Sequence, residues 1–329
     1  MRVGIARACF VVWCASLILT GVSSKSRAAA AYPDHPVKII APFTAGGPTD
    51  FTARLLADKL SQSFKQQFYV EDHPGAGGNI GMLQVARAAP DGYTILVASS
   101  SFTVNSSLYA KKPYDPFTDF SPVTLAASSP NILLVHPSVP AKSVKELVAL
   151  LTANPGKYAI ANPGFGTTPQ LAAELFKLAF KYDQPSVPYA GGAPAVQATL
   201  AGQTPVGFAN LTPASPHVLA GTLRALAITA LKRSAVLPDV PTMLEAGVEN
   251  QESETMQGVL LPAGTPPEIV AALHDAIIRA LASPDVVAKC KEVGLEIVAD
   301  TPAEFAAYIK KDVDKWHKVI VDAKIPQIQ

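Results

Sequence analysis

The segment VKIIAPFTAGGP, residues 37–48, joins a β-branched run to a helical pattern through a turn that contains Gly-Gly-Pro. The run at residues 37–41 predicts a strand, because Val and Ile favour a pleated backbone. The next stretch, residues 49–64, predicts a helix whose apolar side chains share one stripe, at Phe51, Leu55, Leu56, Leu60 and Phe64. A strand, a tight turn and a helix in this order form the repeating unit of an α/β fold with parallel sheets.

The same alternation continues along the chain, so the sequence predicts an α/β protein throughout. Further strands are predicted at residues 68–70, 94–98, 123–126, 132–135, 159–161, 187–189, 205–208 and 225–229. Helices are predicted at residues 80–88, 144–153, 170–180 and 194–201. The tail is mostly helical, with helices at 267–282, 284–293 and 303–321, N-caps at Thr265, Ser283 and Thr301, and one strand at 296–298.

Three glycine-containing turns lie between a predicted strand and a predicted helix. They are PFTAGGP at residues 42–48, GFGTT at 164–168 and PYAGGAP at 188–194. One such turn alone would be an ordinary connection between a strand and a helix. Open α/β sheets, however, bind ligands at the carboxyl ends of their strands. One turn falls in the first part of the chain and two in the second. The sequence therefore predicts two similar domains that point helix N-termini at a shared cleft.

These turns suit an anionic ligand. A helix N-terminus presents unpaired N–H groups and a partial positive charge, so it can hold a carboxylate without Arg or Lys, and glycine lets the backbone approach closely. The candidate ligand-binding residues lie in these turns or at strand ends: Phe43, Thr44, Ala45, Gly46, Gly47, Thr49, Asp50, Ser99, Ser100, Asn162, Gly164, Gly166, Thr167, Thr168, Tyr189, Gly191 and Asn210.

Individual candidates carry different expectations. Phe43 and Tyr189 are expected as apolar walls, and Ser100, Asn162 and Asn210 as polar groups that contact the ligand. For Thr49 and Thr168, N-capping of a helix is an equally good interpretation. Asp50 lies in the first turn of its helix, where a negative charge is stabilising, and is interpreted first as structural.

Composition and motifs exclude several other functions. The 329 residues carry 27 Lys+Arg against 26 Asp+Glu, which excludes nucleic-acid binding driven by net charge. The six histidines are scattered, and no P-loop or nucleophile elbow occurs. The run GAGGNIG at residues 75–81 has Ile80 where a dinucleotide fingerprint needs its third glycine. We expect no catalytic residue, no metal and no cofactor, and binding is the simpler interpretation.

The N-terminus has the pattern of a secretory signal peptide. Arg2 and Arg7 precede an apolar run at residues 8–22, and small residues of the A-x-A type follow at 28–31. The run is short of the roughly 20 residues that a membrane span needs. We expect cleavage after residue 31 and a periplasmic protein. Cys9 and Cys14 would leave with the signal peptide, so that Cys290, expected in the core, would be the one cysteine left.

Five motifs resemble one family. They are PFTAGGPTD at residues 42–50, HPGAGGNIG at 73–81, PDGYT at 90–94, YAGGAP at 189–194 and PAGTP at 262–266. In order and spacing these motifs closely resemble the Bug family of extracytoplasmic solute receptors. Bug proteins are the periplasmic substrate-binding subunits of tripartite tricarboxylate transporters. The resemblance covers essentially all of the chain after residue 31.

The resemblance implies a type II periplasmic-binding-protein fold: two α/β domains joined by crossing strands, with a ligand cleft between them that closes by a hinge. Crossings are expected near residues 123–127 and 255–261, which gives a first domain of residues 32–126 and 255–329 and a second of 127–254. The resemblance also implies a small carboxylic acid as ligand, with one carboxylate gripped by the loop at 43–49. It implies delivery to large and small membrane transporter subunits. We expect a monomer.

Two departures from the family pattern bear on the ligand. Gln170 stands where the family often has His, after the bulky Phe165, and Met256 lies where a Trp is common. Two other functions stay open at this level. The protein could present its ligand to a membrane sensor kinase, or it could be a periplasmic enzyme on the same scaffold.

Overall fold

The segments that define the architecture alternate along the chain, and a computed structural model describes them over residues 32–329. The predicted signal peptide lies outside the described residues. The strands are β1 Val37–Ala41, β2 Phe68–Asp72, β3 Thr94–Ala98, β4 Phe120–Val135, β5 Ile160–Asn162, β6 Ser186–Pro188, β7 Val206–Asn210, β8 Arg224–Ile228, β9 Glu254–Pro262 and β10 Glu296–Ile297. No helix in residues 32–329 has both the length and the apolar character of a membrane span.

Ten α-helices connect these strands in the described part of the chain. They are α1 Pro48–Phe64, α2 Asn79–Ala86, α3 Ser101–Leu108, α4 Val144–Ala153, α5 Thr168–Phe180, α6 Gly192–Leu200, α7 Leu211–Leu219, α8 Pro267–Leu281, α9 Pro284–Glu292 and α10 Pro302–Asp322. A single 3₁₀ turn, Ala76–Gly78, leads into α2. The short loops between strands and helices are those of α/β units.

The strands follow the order β2-β1-β3-β9-β4-β7-β5-β6, with β8 and β10 also paired to β4. Strands β1, β2 and β3 are parallel to one another, as are β5, β6 and β7. Between the two parallel groups lie β4 and β9, which run antiparallel to each other and to their other neighbours. Each parallel group with its helices forms one half of the protein.

Strand β4 belongs to both halves. Its residues from Phe120 to Pro130 pair with β9, and those from Asn131 to Val135 pair with β7 and β8. Pro130 lacks an N–H group and lies where the strand changes partner, as expected of a proline within a sheet. One continuous strand therefore links the two halves.

Each half has a hydrophobic core of its own. One core contains Phe102, Phe120 and Phe305, and the other contains Phe176 and Phe208. Two α/β halves joined by crossing strands are the architecture of the type II periplasmic-binding-protein fold, and the fold prediction is confirmed.

The structure differs from the predicted secondary structure in three main respects. The strands at 123–126 and 132–135 are parts of the single strand β4, because Pro130 marks a change of partner and not an end. Helices α3 and α7 were missed. Every residue of α3 is buried, so no side of the helix faces solvent and its sequence shows no helical period. Helix α7 contains Pro216, and proline inside a segment argues against a helix.

The predicted N-caps met with different outcomes. Thr301 caps α10 and forms a capping box with Glu304. Ser283 holds the N-cap position of α9, but its hydroxyl donates to Ala280 instead. The N-cap of α8 is Pro266, and the Thr265 hydroxyl donates to the Pro262 carbonyl oxygen. Thr265 is thus not a cap.

The capping box at the start of α10 should contribute measurably to stability. The Thr301 hydroxyl accepts from the Glu304 N–H at 3.2 Å, and the Glu304 carboxylate accepts from the Thr301 N–H at 2.9 Å. We expect Thr301→Ala to lower the free energy of unfolding by about 1 kcal/mol, because a helix N–H loses its acceptor. Thr301→Ser, which keeps the hydroxyl, should stay close to wild type in urea denaturation. Equal losses in both variants would contradict this role.

Candidate ligand-binding cleft

The carboxyl ends of the parallel strands of both halves meet at one cavity. Its lining, which we call the cleft cavity, consists of Phe43, Gly47, Pro48, Thr49, Ser99, Pro163, Thr167, Gly192, Asn210 and Thr255. These residues follow strands β1, β3, β5 and β6, or lie at the end of β7 and the start of β9. The structure therefore brings together turns that are far apart in sequence, at the sheet edge where ligands bind in α/β proteins.

Five helices begin at the cleft cavity. Gly47, Thr167 and Asn210 are the N-cap residues of α1, α5 and α7, and Gly192 is the first residue of α6. Ser99 lies just before the start of α3, where its carbonyl oxygen accepts from the Phe102 N–H. First-turn N–H groups lack intrahelical acceptors and carry the positive end of the helix dipole. None of the ten lining residues has a charged side chain, so the electrostatics of the cavity come from the backbone.

The two walls of the cleft touch each other. The Thr44 hydroxyl donates to the Ala190 carbonyl oxygen at 3.2 Å, and the Thr44 N–H donates to the same oxygen at 3.4 Å. A Cβ on Gly191 would come within 2.6 Å of the Thr44 hydroxyl oxygen, so only glycine permits this approach. The cavity between the walls has a volume of about 20 Å³, little more than one water molecule requires. The cleft is thus nearly shut.

A second contact closes the cleft further along. A Cβ on Gly166, whose φ is +76°, would lie 2.0 Å from the Asn105 Oδ1 atom. A Cβ on Gly77, with φ +64°, would lie 2.5 Å from the Phe165 carbonyl oxygen. Asn105 is held in place by donating from Nδ2 to Gly77 and to Asn79. The GAGGNIG motif, rejected as a dinucleotide fingerprint, therefore provides backbone that packs against the opposite half.

Buried polar side chains form a hydrogen-bond network at the base of the cleft. The Thr255 hydroxyl donates to Asn131 Oδ1 at 2.9 Å and accepts from Asn210 Nδ2 at 2.8 Å. It also lies 2.6 Å from the Thr168 hydroxyl. Asn131 in turn donates to the Ser253 hydroxyl at 3.0 Å. The network joins β4 and β9 to the starts of α5 and α7.

Asp50 organises the first glycine turn. Its Oδ2 accepts from the Gly46 N–H at 2.8 Å, and its Oδ1 lies 2.6 Å from the Arg54 Nε. Arg54 also donates to Asp72 at 2.9 Å. Burial, together with the nearby Asp50 charge, raises the pKa of the Asp72 carboxyl. Asp50 is absent from the cavity lining, which fits its interpretation as a structural residue.

The structure places the predicted site residues in two groups. Six line the cleft cavity: Phe43, Gly47, Thr49, Ser99, Thr167 and Asn210. The others shape the turns or bridge the walls: Thr44, Ala45, Gly46, Asp50, Ser100, Asn162, Gly164, Gly166, Thr168, Tyr189 and Gly191.

Two residues of the second group, Asn162 and Ser100, have protein partners that explain their position. Asn162 accepts from the Gly164 N–H and donates to Ser186, so it shapes the turn after β5. Ser100 donates to the Glu254 carbonyl oxygen and accepts from the Met256 N–H, so it ties α3 to β9. The N-capping interpretation is wrong for Thr49 and Thr168, because Gly47 and Thr167 hold the N-cap positions.

Four lining residues were not predicted individually. Pro48, Pro163 and Gly192 lie inside or beside the predicted turns. Thr255 has no comparable local signal, because its partners Asn131, Thr168 and Asn210 are 124, 87 and 45 residues away. Its position at the start of a predicted crossing strand was the one available hint.

The network around Thr255 should stabilise the arrangement of the two halves. We expect Thr255→Val to lower the free energy of unfolding by about 1–3 kcal/mol, since Asn131, Thr168 and Asn210 would each lose a hydrogen-bond partner in a buried network. Thr199→Val is the matched control, because its buried hydroxyl donates only to the Ala195 carbonyl oxygen within α6. It should cost less than about 1 kcal/mol. Similar losses for the two variants in urea denaturation would show that the network adds no stability.

Comparison with known proteins assigns the chain to a family. Residues 52–325 match the family model described as "Tripartite tricarboxylate transporter family receptor". Protein BugT of Bordetella pertussis is 36% identical over 291 residues, which cover 88% of this chain and 89% of BugT.

Solved structures agree with this match. The periplasmic binding protein BugD superposes with a TM-score of 0.87 at 34% identity, covering 90% of this chain and 100% of BugD. Rpa4515 of R. palustris, solved with adipate, gives the same TM-score of 0.87, identity of 34% and coverage of 90% and 100%. With the family model matched over most of its length, the chain belongs to the tripartite tricarboxylate transporter receptor family, the family of the Bug proteins.

Proposed function

We propose that the protein is a periplasmic solute-binding protein that captures a small carboxylic acid between its two halves. The observation that supports this proposal most directly is the convergence of five helix N-termini on a cavity without charged side chains. A carboxylate there would accept hydrogen bonds from first-turn N–H groups and meet the positive ends of several helix dipoles. The adipate-bound relative is in keeping with this ligand class.

The lining suggests how the rest of the ligand is held. Phe43, Pro48 and Pro163 supply apolar surface for a short carbon chain, while Thr49, Thr167 and Asn210 supply polar groups. Ligand sites in proteins commonly combine an apolar lining with a few polar groups in this way. The cavity lining contains no Asp, Glu, His, Lys or Cys, so it offers no conventional general base. We therefore favour binding over catalysis.

Capture requires the cleft to open. A cavity of about 20 Å³ cannot admit an acid of several carbons, so the halves must separate before the ligand enters. We place the hinge at β4 and β9, with a first domain of residues 32–126 and 255–329 and a second of 127–254. The change of partner between Pro130 and Asn131 supports this division. The closed form would then dock as a monomer on membrane transporter subunits and deliver the acid.

A thermal-shift screen tests the ligand class. We expect a small mono-, di- or tricarboxylate to raise the midpoint of unfolding, because a ligand at a hundred times its dissociation constant adds roughly 2.7 kcal/mol of stability. The matched controls are the corresponding amides, which keep the carbon chain but lack the charge. An amide that stabilises the protein as much as its acid would contradict the proposed carboxylate contact.

Substitution of Gly166 tests closure. In Gly166→Ala the new methyl group would overlap Asn105 Oδ1 in the closed form, so we expect the acid to bind roughly tenfold more weakly or worse, a loss of about 1.4 kcal/mol. Gly221→Ala is the matched control, because Gly221 has a similar φ of +71° and no atom within 4 Å of its Cβ position. Both variants carry the same backbone strain, and isothermal titration calorimetry measures the difference. Equal affinities would mean that this contact does not form in the bound state.

A further inference from the structure

A second cavity, which we name the α10 cavity, lies between helix α10 and the segments around the start of β9. Its volume is about 320 Å³, within the range of small-molecule sites. Its lining includes Leu231, Ser253, Glu254, Tyr308, Asp312 and Lys315, and it shares no residue with the cleft cavity. Ser253 accepts a hydrogen bond from Asn131, which links strand β4 to the wall of this cavity. The α10 cavity therefore lies directly behind the crossing strands.

Two carboxylates in the lining are poorly compensated. Asp312 is only 7% exposed, and its Oδ2 accepts from the Thr103 hydroxyl at 2.6 Å. Glu254 is partly buried at the start of β9. Neither carboxylate takes part in an ion pair within residues 32–329. Burial raises the pKa of both carboxyls, and the nearby Glu296 raises that of Glu254 further.

The basic groups of the lining neutralise this charge only in part, because the lining holds three carboxylates, Glu252, Glu254 and Asp312, against two lysines, Lys311 and Lys315. Lys315 is the basic residue that acts on both carboxylates, but its Nζ donates to the Glu252 carbonyl oxygen at 3.3 Å and lies 4.9 Å from the centre of the Trp316 ring. Lys311 is exposed and lies at the rim. An ammonium group inside the cavity would therefore lie beside two carboxylates that form no ion pair in the described residues, and beside the ring of Tyr308, a setting that suits cations.

We propose that the α10 cavity is a second binding site, which takes a small molecule through its ammonium group, with Glu254 and Asp312 as acceptors. The ligand is either a simple primary amine or an amino acid. In the amino-acid case the ligand carboxylate faces Lys311 at the rim. This site is independent of the acid proposed for the cleft cavity, because the two cavities have separate linings.

The test is isothermal titration calorimetry of the purified protein with three probes of equal chain length. Butylammonium represents an amine, 4-aminobutyrate an amino acid, and butyramide is the neutral control. We expect at least one of the two ammonium probes to bind and butyramide not to bind. Stronger binding of 4-aminobutyrate would identify an amino acid as the source, and stronger binding of butylammonium would identify an amine.

Variants then locate the binding. Glu254→Gln and Asp312→Asn keep the shape of each side chain. Each should weaken the binding of the ammonium probe by about tenfold or more, because a charged acceptor is lost. Asp314→Asn removes an exposed carboxylate of the same helix and should leave binding unchanged. Circular dichroism checks that each variant is folded. If one carboxylate variant does not fold, the other still tests the proposal.

Three results would overturn the proposal. The first is that neither ammonium probe binds. The second is that Glu254→Gln and Asp312→Asn bind the probe as well as Asp314→Asn. The third is that an excess of a cleft-binding acid displaces the ammonium probe by direct competition, which would place that probe in the cleft cavity. Because the acid screen is a separate measurement, failure of this site is distinguishable from failure of the proposed function.

Discussion

The passage of strand β4 through both halves is the constraint on which the rest of the structure depends. A strand that pairs with β9 and then with β7 must change partner without losing its backbone hydrogen bonds. Pro130, which has no N–H to satisfy, lies at this change, and the next residue, Asn131, places a buried amide at the same point. Asn131 then binds Thr255 on the second crossing strand, so the crossing also becomes the base of the cleft.

The crossing also determines which backbone groups face the cleft. Both parallel groups direct their carboxyl ends, and hence the starts of their helices, towards the same space. The positive potential there comes from fixed backbone dipoles, which would lose no side-chain entropy and need no counter-ion in the closure that we propose. A buried lysine would have to be desolvated each time the cleft shut. Asp50, the carboxylate in the first glycine turn, is bound by Arg54 and by the Gly46 N–H.

Sequence patterns predicted the elements with a strong local signal, namely short β-branched runs that are buried almost throughout and a helix with one buried face. The strands at 37–41 and 94–98 and the helix at 144–153 match β1, β3 and α4 residue for residue. Helix α3 was not predicted, because it is buried on every side and its sequence therefore lacks the alternation of apolar and solvent-facing residues that indicates a helix. In the cleft, the turn residues could be predicted from the sequence, because a turn is formed by residues that are neighbours in the chain. Thr255 was not, because its role arises from contacts among segments that only the fold brings together.

The contacts across the cleft bear on the opening and closing that we propose. Between Thr44 and Ala190 the hydrogen bonds are long, at 3.2 and 3.4 Å, and glycine backbone approaches the opposite half closely at Gly77, Gly166 and Gly191. The two large apolar cores are each confined to one half, but a smaller apolar cluster crosses between the halves, where Leu171 of α5 packs with Val104, Leu108, Trp316 and Ile320. We expect these contacts to stabilise the proposed closed form in part, and a ligand bound between the halves to add to them. A ligand that binds the closed form better by a few kcal/mol suffices to shift the population, and only that difference in affinity can do so.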